Sequence, residues 1–232
     1  MTSPRCYALV PAAGVGARSG ADRPKQYVEI AGRAMLAHTL AALAAVPRLE
    51  ATLVVVSPED DQFEAAVPGF DAAWLARCGG ATRAASVANG LAALYGRGAR
   101  ADDWVLVHDA ARCLLRPEWV ERLIAACEHD AVGGLLAFPL ADTLKDAAAD
   151  GRVRATIDRR AKWAAQTPQM FRAGQLAEAL EQAAAGGAAV TDEASALEAL
   201  GLAPRLVGAP LENFKVTWPA DFALAERLLR TR

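Results

Sequence analysis

The stretch LVPAAGVGARSGADRPKQY, Leu9 to Tyr27, decides the fold. An apolar run from Cys6 to Val10 ends at Pro11 and enters a loop holding Gly14, Gly16 and Gly20. Glycines let successive backbone N–H groups close on an anion as a concave nest. Arg18 and Lys25 add two positive charges to the same loop. In an open α/β sheet, ligands sit at the carboxyl ends of strands, where this loop lies. It therefore reads as a phosphate-binding turn rather than a solvated surface turn. Two common phosphate motifs are excluded. The dinucleotide fingerprint needs Gly or Ala three beyond Gly16, where Ser19 stands, which argues against a dehydrogenase. A Walker A loop needs Gly-Lys-Ser/Thr, and Lys25 lies between Pro24 and Gln26.

Outward from this loop, short β-rich runs alternate with helical patterns. Thr52 to Ser57 (TLVVVS), Trp104 to His108 (WVLVH) and Val132 to Leu140 (VGGLLAFPL) read as strands covered on both faces. Leu36, Leu40 and Leu43 repeat at helical spacing. So do Val120, Leu123, Ile124 and Cys127 after Pro117, and Phe222, Ala225 and Leu229 after Pro219. The alternation predicts an α/β fold, a mainly parallel twisted sheet flanked by helices. DTLKDAAADGRVRATID, Asp142 to Asp158, breaks the pattern. Asp150-Gly151 signals a tight turn, and Val153, Ala155 and Ile157 alternate with polar neighbours. This predicts an inserted β-hairpin arm, which needs cover from a second subunit or from its own domain.

The 232 residues, 53% hydrophobic and 22% charged, form one domain with a full core, and the arm occupies about 139–162. A net charge of −2 excludes a globally basic nucleic-acid or membrane binder. Cys6, Cys78, Cys113 and Cys127 have no metal-ligand spacing, nor do His38, His108 and His129. The scattered thiols fit a reducing compartment. Pro11 and Gly14 interrupt the early apolar run, so no signal peptide is expected, and Leu36 to Val46 is far short of the roughly 20 residues a bilayer span needs. A cytoplasmic protein is expected.

Further segments carry candidate chemistry. CGGATRAASVANG, Cys78 to Gly90, offers amides at Gly79-Gly80 and a helix start capped by Thr82, with Ser86 one turn on. Asp109 follows the WVLVH run, where a carboxylate suits either a hard cation such as Mg²⁺ or a loop cap. Arg112 pairs with it or with a phosphate. In VTDEASALEAL, Thr191 is the expected N-cap, with Asp192 and Glu193 in the first turn. Thr167-Pro168-Gln169 reads as a turn, and Lys215 lies in a short β-like run before the last helix.

Taken in order, eight segments resemble the 2-C-methyl-D-erythritol 4-phosphate cytidylyltransferase family. They are PAAGVGARSGADRPKQY (from Pro11), GGATRAASV (from Gly79), VHDAAR (from Val107), DTLK (from Asp142), IDR (from Ile157), TPQMF (from Thr167), TDEASALE (from Thr191) and NFKVTWP (from Asn213). The resemblance implies a Rossmann-like nucleotidyltransferase that forms a homodimer through its β-arm. It implies transfer of CMP from CTP to the phosphate of methylerythritol phosphate, releasing pyrophosphate, in non-mevalonate isoprenoid biosynthesis. Mg²⁺ is the implied metal, with Mn²⁺ or Co²⁺ as substitutes, and Asp109 its ligand. By match of motif, Pro11, Ala12, Ala13, Gly14 and Gly16 would hold CTP with Gly80, Ser86 and Asp109. Arg18, Lys25 and Lys215 would be catalytic cations. Arg112, Thr143, Thr167, Thr191 and Lys215, with the partner's Arg159, would hold the acceptor.

The acceptor phosphate is already an anionic nucleophile, so this chemistry needs no general base. Its obstacle is repulsion between two polyanions, which cations offset. Ser19, Cys113 and Ala81 depart from the family's usual Met, Pro and acidic residue, and Cys113 bears on how firmly the loop holds Asp109. A ribitol 5-phosphate cytidylyltransferase shares several motifs, but TDEASALE and Ala12-Ala13 favour the methylerythritol enzyme. A non-catalytic nucleotide-binding regulator would not need Arg18, Lys25, Asp109 and Lys215 together.

Overall fold

Strand β1 (Cys6–Pro11) is apolar on both sides because both sides are covered. Ala8 and Val10 face one core, Tyr7 and Leu9 the other, as the two-residue period of a strand requires. The computed structural model describes residues 3–14, 23–187 and 190–232. After β1 come the pair β2 (Glu29–Ile30) and β3 (Arg33–Ala34), helix α1 (Met35–Ala44), β4 (Leu49–Val55), α2 (Phe63–Ala66) and β5 (Leu75–Ala76). Then follow α3 (Arg83–Gly96), β6 (Trp104–Val107), α4 (Pro117–Cys127), β7 (Gly133–Pro139), β8 (Leu144–Ala147) and β9 (Val153–Ile157). The chain closes with β10 (Trp163–Arg172), α5 (Ala173–Ala185), α6 (Glu193–Ala199), β11 (Arg205–Gly208) and α7 (Pro219–Arg230).

Seven strands form one sheet in the order β11-β7-β10-β6-β1-β4-β5. All neighbours are parallel except β10, which runs antiparallel to both β6 and β7. Helices α1 and α4 cover one face through Leu36, Leu40, Leu43, Val120, Leu123 and Ile124. Helices α3, α5 and α6 cover the other through Leu91, Leu94, Leu176 and Leu197. Helix α3 lies close on the sheet at Gly90, where a Cβ would stand 2.6 Å from Leu9 Cδ1. A third cluster joins Ile30, Met35, Cys113, Leu114, Val216 and Ala225, and docks α7 beside Lys215. Cys113 is thus a packed core residue, its thiol pushed up to about 12 by burial. The Asp109 loop is filled there rather than loosened.

Two sequence expectations need correction. The strand expected from Thr52 begins at Leu49, because pairing with β1 continues back to Cys6↔Leu49 across a register shift that leaves the polar Glu50 unpaired between Leu49 and Ala51. Thr167-Pro168-Gln169 is not a turn. It lies inside β10, with a cis Thr167–Pro168 peptide, where the pairing with β7 is irregular between Ala165 and Gln169. The arm forms as expected. It leaves the domain where Pro139 faces Trp163 and Leu140 N–H donates to Lys162 O, and β8 and β9 form a sheet of their own. Every residue of β9 is exposed. Among the described residues no helix is long and apolar enough to cross a membrane.

Candidate active site

The site lies at the carboxyl ends of β1 and β6, where the parallel strands release their loops. Ala12 N–H donates to Val55 O at 2.7 Å, and Gln26 Nε2 donates to Ala12 O at 2.7 Å, which fixes the start of the glycine loop. Gly16 and Arg18 lie outside the described residues. Lys25 sits in a short 3₁₀ turn, Lys25–Tyr27, and its Nζ donates to Val216 O at 2.8 Å. Gly79 crosses this loop so closely that a Cβ there would stand 2.2 Å from Ala13 Cβ and 2.9 Å from Val56 O. Thr82 caps α3 by accepting from Ala85 N–H at 3.1 Å, as expected. Ser86 Oγ accepts from Gly80 N–H and donates to Thr82 O, both at 3.0 Å. It therefore shapes the Gly80 turn from below.

Asp109 follows β6 and is held by backbone and side chain alike. Its N–H donates to Thr167 Oγ1 at 3.0 Å, so the Thr167 hydroxyl donates onward to His108 Nδ1, also at 3.0 Å. His108 Nε2 then donates to Arg112 O at 3.4 Å. Burial pushes the imidazole down to about 3, so His108 is a neutral strut at physiological pH. The Asp109 carboxylate meets Arg83 Nε at 2.9 Å, Lys215 Nζ at 2.9 Å and Arg112 Nε at 3.6 Å. Burial alone would raise this carboxyl. Arg83, Lys215 and Arg112 outweigh it and hold Asp109 well below the usual carboxylate range.

Arg112 is itself bound, donating to Asn213 O at 2.7 Å and Ala165 O at 3.3 Å. Asn213 in turn donates to Gln166 Oε1 and Thr167 O, both at 2.9 Å, which pins the Lys215 segment against β10. Sequence reasoning missed two residues here. Arg83 donates to Glu193 through Nη1 at 2.6 Å and Nη2 at 3.1 Å, across 110 positions of chain. An arginine as the first residue of a helix opposes the helix dipole, and that was the available signal. Glu193, expected as a first-turn charge, is buried. Asp192, not Thr191, caps α6. Its Oδ1 accepts from Ser195 N–H at 2.9 Å, because Gln169 Nε2 donates to Asp192 Oδ2 and fixes that side chain at the helix entrance.

These side chains line two adjoining cavities. The larger, about 550 Å³, is bounded by Pro11, Ala12, Ala13, Gly14, Lys25, Gly80 and Ser86. The smaller, about 200 Å³, is bounded by Arg112, Thr167, Gln169, Thr191 and Asp192. Arg83, Asp109 and Lys215 line both and form the wall between them. Thr143 and Arg159 line neither. Thr143 is exposed at the root of the arm, and Arg159 Nη1 donates to Ala141 O. Among the described residues no three His, Cys, Asp or Glu side chains gather to hold a metal. Among the described residues Asp109 is the only carboxylate lining the larger cavity, and three cations already share it. Such a donor set suits a hard cation carried in on phosphate oxygens, not an all-protein cage.

The family model for 2-C-methyl-D-erythritol 4-phosphate cytidylyltransferase (IspD) matches residues 6–231. A 2-C-methyl-D-erythritol 4-phosphate cytidylyltransferase from Laribacter hongkongensis is 57% identical over 97% of this chain and 96% of its own length. A bifunctional IspD/IspF enzyme from Albidiferax ferrireducens is 60% identical over 100% of this chain, which spans only 54% of that longer protein. Among solved structures, a 4-diphosphocytidyl-2C-methyl-D-erythritol synthase crystal structure superposes with a TM-score of 0.86. It shares 44% identity over 97% of this chain and 99% of that one. The cytidylyltransferase from Thermus thermophilus gives a TM-score of 0.77 at 31% identity, over 99% of this chain and 100% of its own.

Proposed function

This chain belongs to the 2-C-methyl-D-erythritol 4-phosphate cytidylyltransferase family, and from that premise we propose how its two cavities divide the reaction. The protein transfers CMP from CTP to 2-C-methyl-D-erythritol 4-phosphate and releases pyrophosphate. The larger cavity takes CTP, with its phosphates against Ala12 to Gly14 and Lys25 and its cytosine toward Gly80 and Ser86. The smaller cavity takes the acceptor phosphate. The observation that carries this reading is the shared wall, because the acceptor phosphate oxygen that attacks the α-phosphorus of CTP, as its bond to pyrophosphate breaks, must meet it beside Asp109 and Lys215.

The acceptor phosphate is its own nucleophile, and the neutral, fully bonded His108 is not needed as a base. Lys25 and Lys215, with Arg18, offset the repulsion between the polyanions and the charge gathering on the five-coordinate phosphorus. Asp109 holds Lys215 at the wall until the substrates arrive. Mg²⁺, with Mn²⁺ or Co²⁺ as substitutes, would neutralise charge on the triphosphate, and Asp109 would be the residue to hold it. Arg112 and Thr167 position the smaller cavity, and Thr191 lies at its mouth.

Thr143 and Arg159 enter the proposal through a second copy of the chain. The arm exposes Val153 and Ile157 at 63% and 40%, apolar side chains that a homodimer would cover. The four free cysteines suit the reducing cytoplasm. Pyrophosphate release from CTP and Mg²⁺, with methylerythritol phosphate and ribitol 5-phosphate compared, tests the reaction. Release only with the pentitol phosphate overturns the acceptor. For the arm, Arg159→Ala and Lys25→Ala protomers are mixed under subunit exchange. Recovered activity is expected, and none is recovered if Arg159 does not act across subunits.

A further inference from the structure

Glu193 takes no part in the chemistry described so far and lines neither cavity, yet it carries a carboxylate in the core. Removing a charge from water costs several kcal/mol, and packing alone would favour an apolar residue there. Its two oxygens accept from Arg83 Nη1 and Nη2 in a fork-to-fork pair. Arg83 Nε is thereby directed to Asp109 Oδ1 at 2.9 Å. Two of the five guanidinium N–H groups have no partner among the described residues. Arg83 lines both cavities and retains 28% side-chain exposure, so the side chain that carries these two remaining donors stands at the wall.

The placement has a cost that points the same way. Arg83 opens α3, where the helix dipole opposes a cation. Without Glu193, the guanidinium of a long side chain would move toward water and leave the wall.

We infer that Arg83 is a further phosphate-facing cation of the transfer site and that Glu193 is its positioning residue. Helix α6, whose entrance also supplies Asp192 to the smaller cavity, is thus tied to helix α3, whose entrance bounds the larger one. The claim rests on the cavity assignment proposed above, and its test separates the two.

Glu193→Gln keeps the shape and weakens the fork. It is expected to lower kcat about 10- to 100-fold, the usual worth of a positioning partner, while KM for CTP stays within about threefold. Glu193→Asp, which keeps the charge, should recover part of that loss. Arg83→Lys and the Arg83→Lys/Glu193→Gln double variant should have equal kcat, because the glutamate acts only through the arginine. Proton–nitrogen NMR gives a reading that needs no turnover. The Arg83 Nε–H signal, assigned by its loss in Arg83→Lys, should exchange with water at least about tenfold faster in Glu193→Gln. A lower melting temperature with unchanged kcat and unchanged exchange would make the pair purely structural and overturn the inference. If Glu193→Gln does not fold, Glu193→Asp and Arg83→Lys decide it by the same readouts. A wild-type protein that releases no pyrophosphate overturns the proposed function, and the exchange measurement still judges the positioning claim.

Discussion

In the wall between the cavities, Arg83 meets Glu193 at 2.6 Å, with the two side chains 28% and 1% exposed. On the arm, Arg154 meets Asp146 at 2.7 Å, with 67% and 35% exposed. The residue types and distances barely differ, and water makes the contrast. A covered charge cannot be rehydrated when its partner leaves, so losing one partner costs several kcal/mol. An exposed pair exchanges its partner for solvent at little cost. The wall therefore fixes geometry, whereas the arm's polar pairs, including Lys145 Nζ to Thr156 Oγ1 at 2.7 Å, leave it open to be set by whatever covers it.

The sharpest way to break this contrast is Asp109→Ala, which strands Arg83, Arg112 and Lys215 around a missing anion. A stability loss of about 3 kcal/mol in urea unfolding is expected, the low end for a buried pair because Arg83 and Lys215 reach solvent. Lys25→Ala should leave the unfolding midpoint near wild type yet reduce pyrophosphate release on the order of 10² to 10³. Wild-type turnover there would remove Lys25 from the mechanism. Lys25→Arg should rescue poorly, since a planar fork replaces a compact charge.

Asp103 gives an intermediate case, covered itself but paired with the half-exposed Arg5 and Arg100. Bonds from the Arg5 and Arg100 backbones and side chains outweigh burial and lower its carboxyl from 3.8 to about 2. A depressed folded value means its stabilisation is full above the unfolded value and is lost as pH falls from about 4 toward 2. Asp103→Asn should remove that part of the acid dependence of unfolding. The smallest effect belongs to the arm, where Asp146→Ala should change stability by under about 0.5 kcal/mol. A loss as large as that of Asp109→Ala would mean that the arm's pairs are covered in solution.

Much of this was legible along the chain. The glycine loop after β1, Lys25 beside it, the Thr82 cap and the two-residue alternation of the arm each depend on neighbours within a few positions. The capping of α6 was not, because Gln169 from a distant strand settles that Asp192 rather than Thr191 takes the role. Nor was β10, whose Thr167-Pro168 is a local turn signal overruled by pairing on both sides.

Local period and turn chemistry along the chain marked β1, β4, β6 and β7, helices α1, α4 and α7, the charged loop at the first strand's end and the arm. Tertiary structure alone decided which charges meet. Glu193 finds Arg83, and Lys215 finds Asp109, because the order of strands in the sheet brings their loops to one edge. The strength of each meeting depends on how much water the fold excludes, which no stretch of sequence encodes on its own.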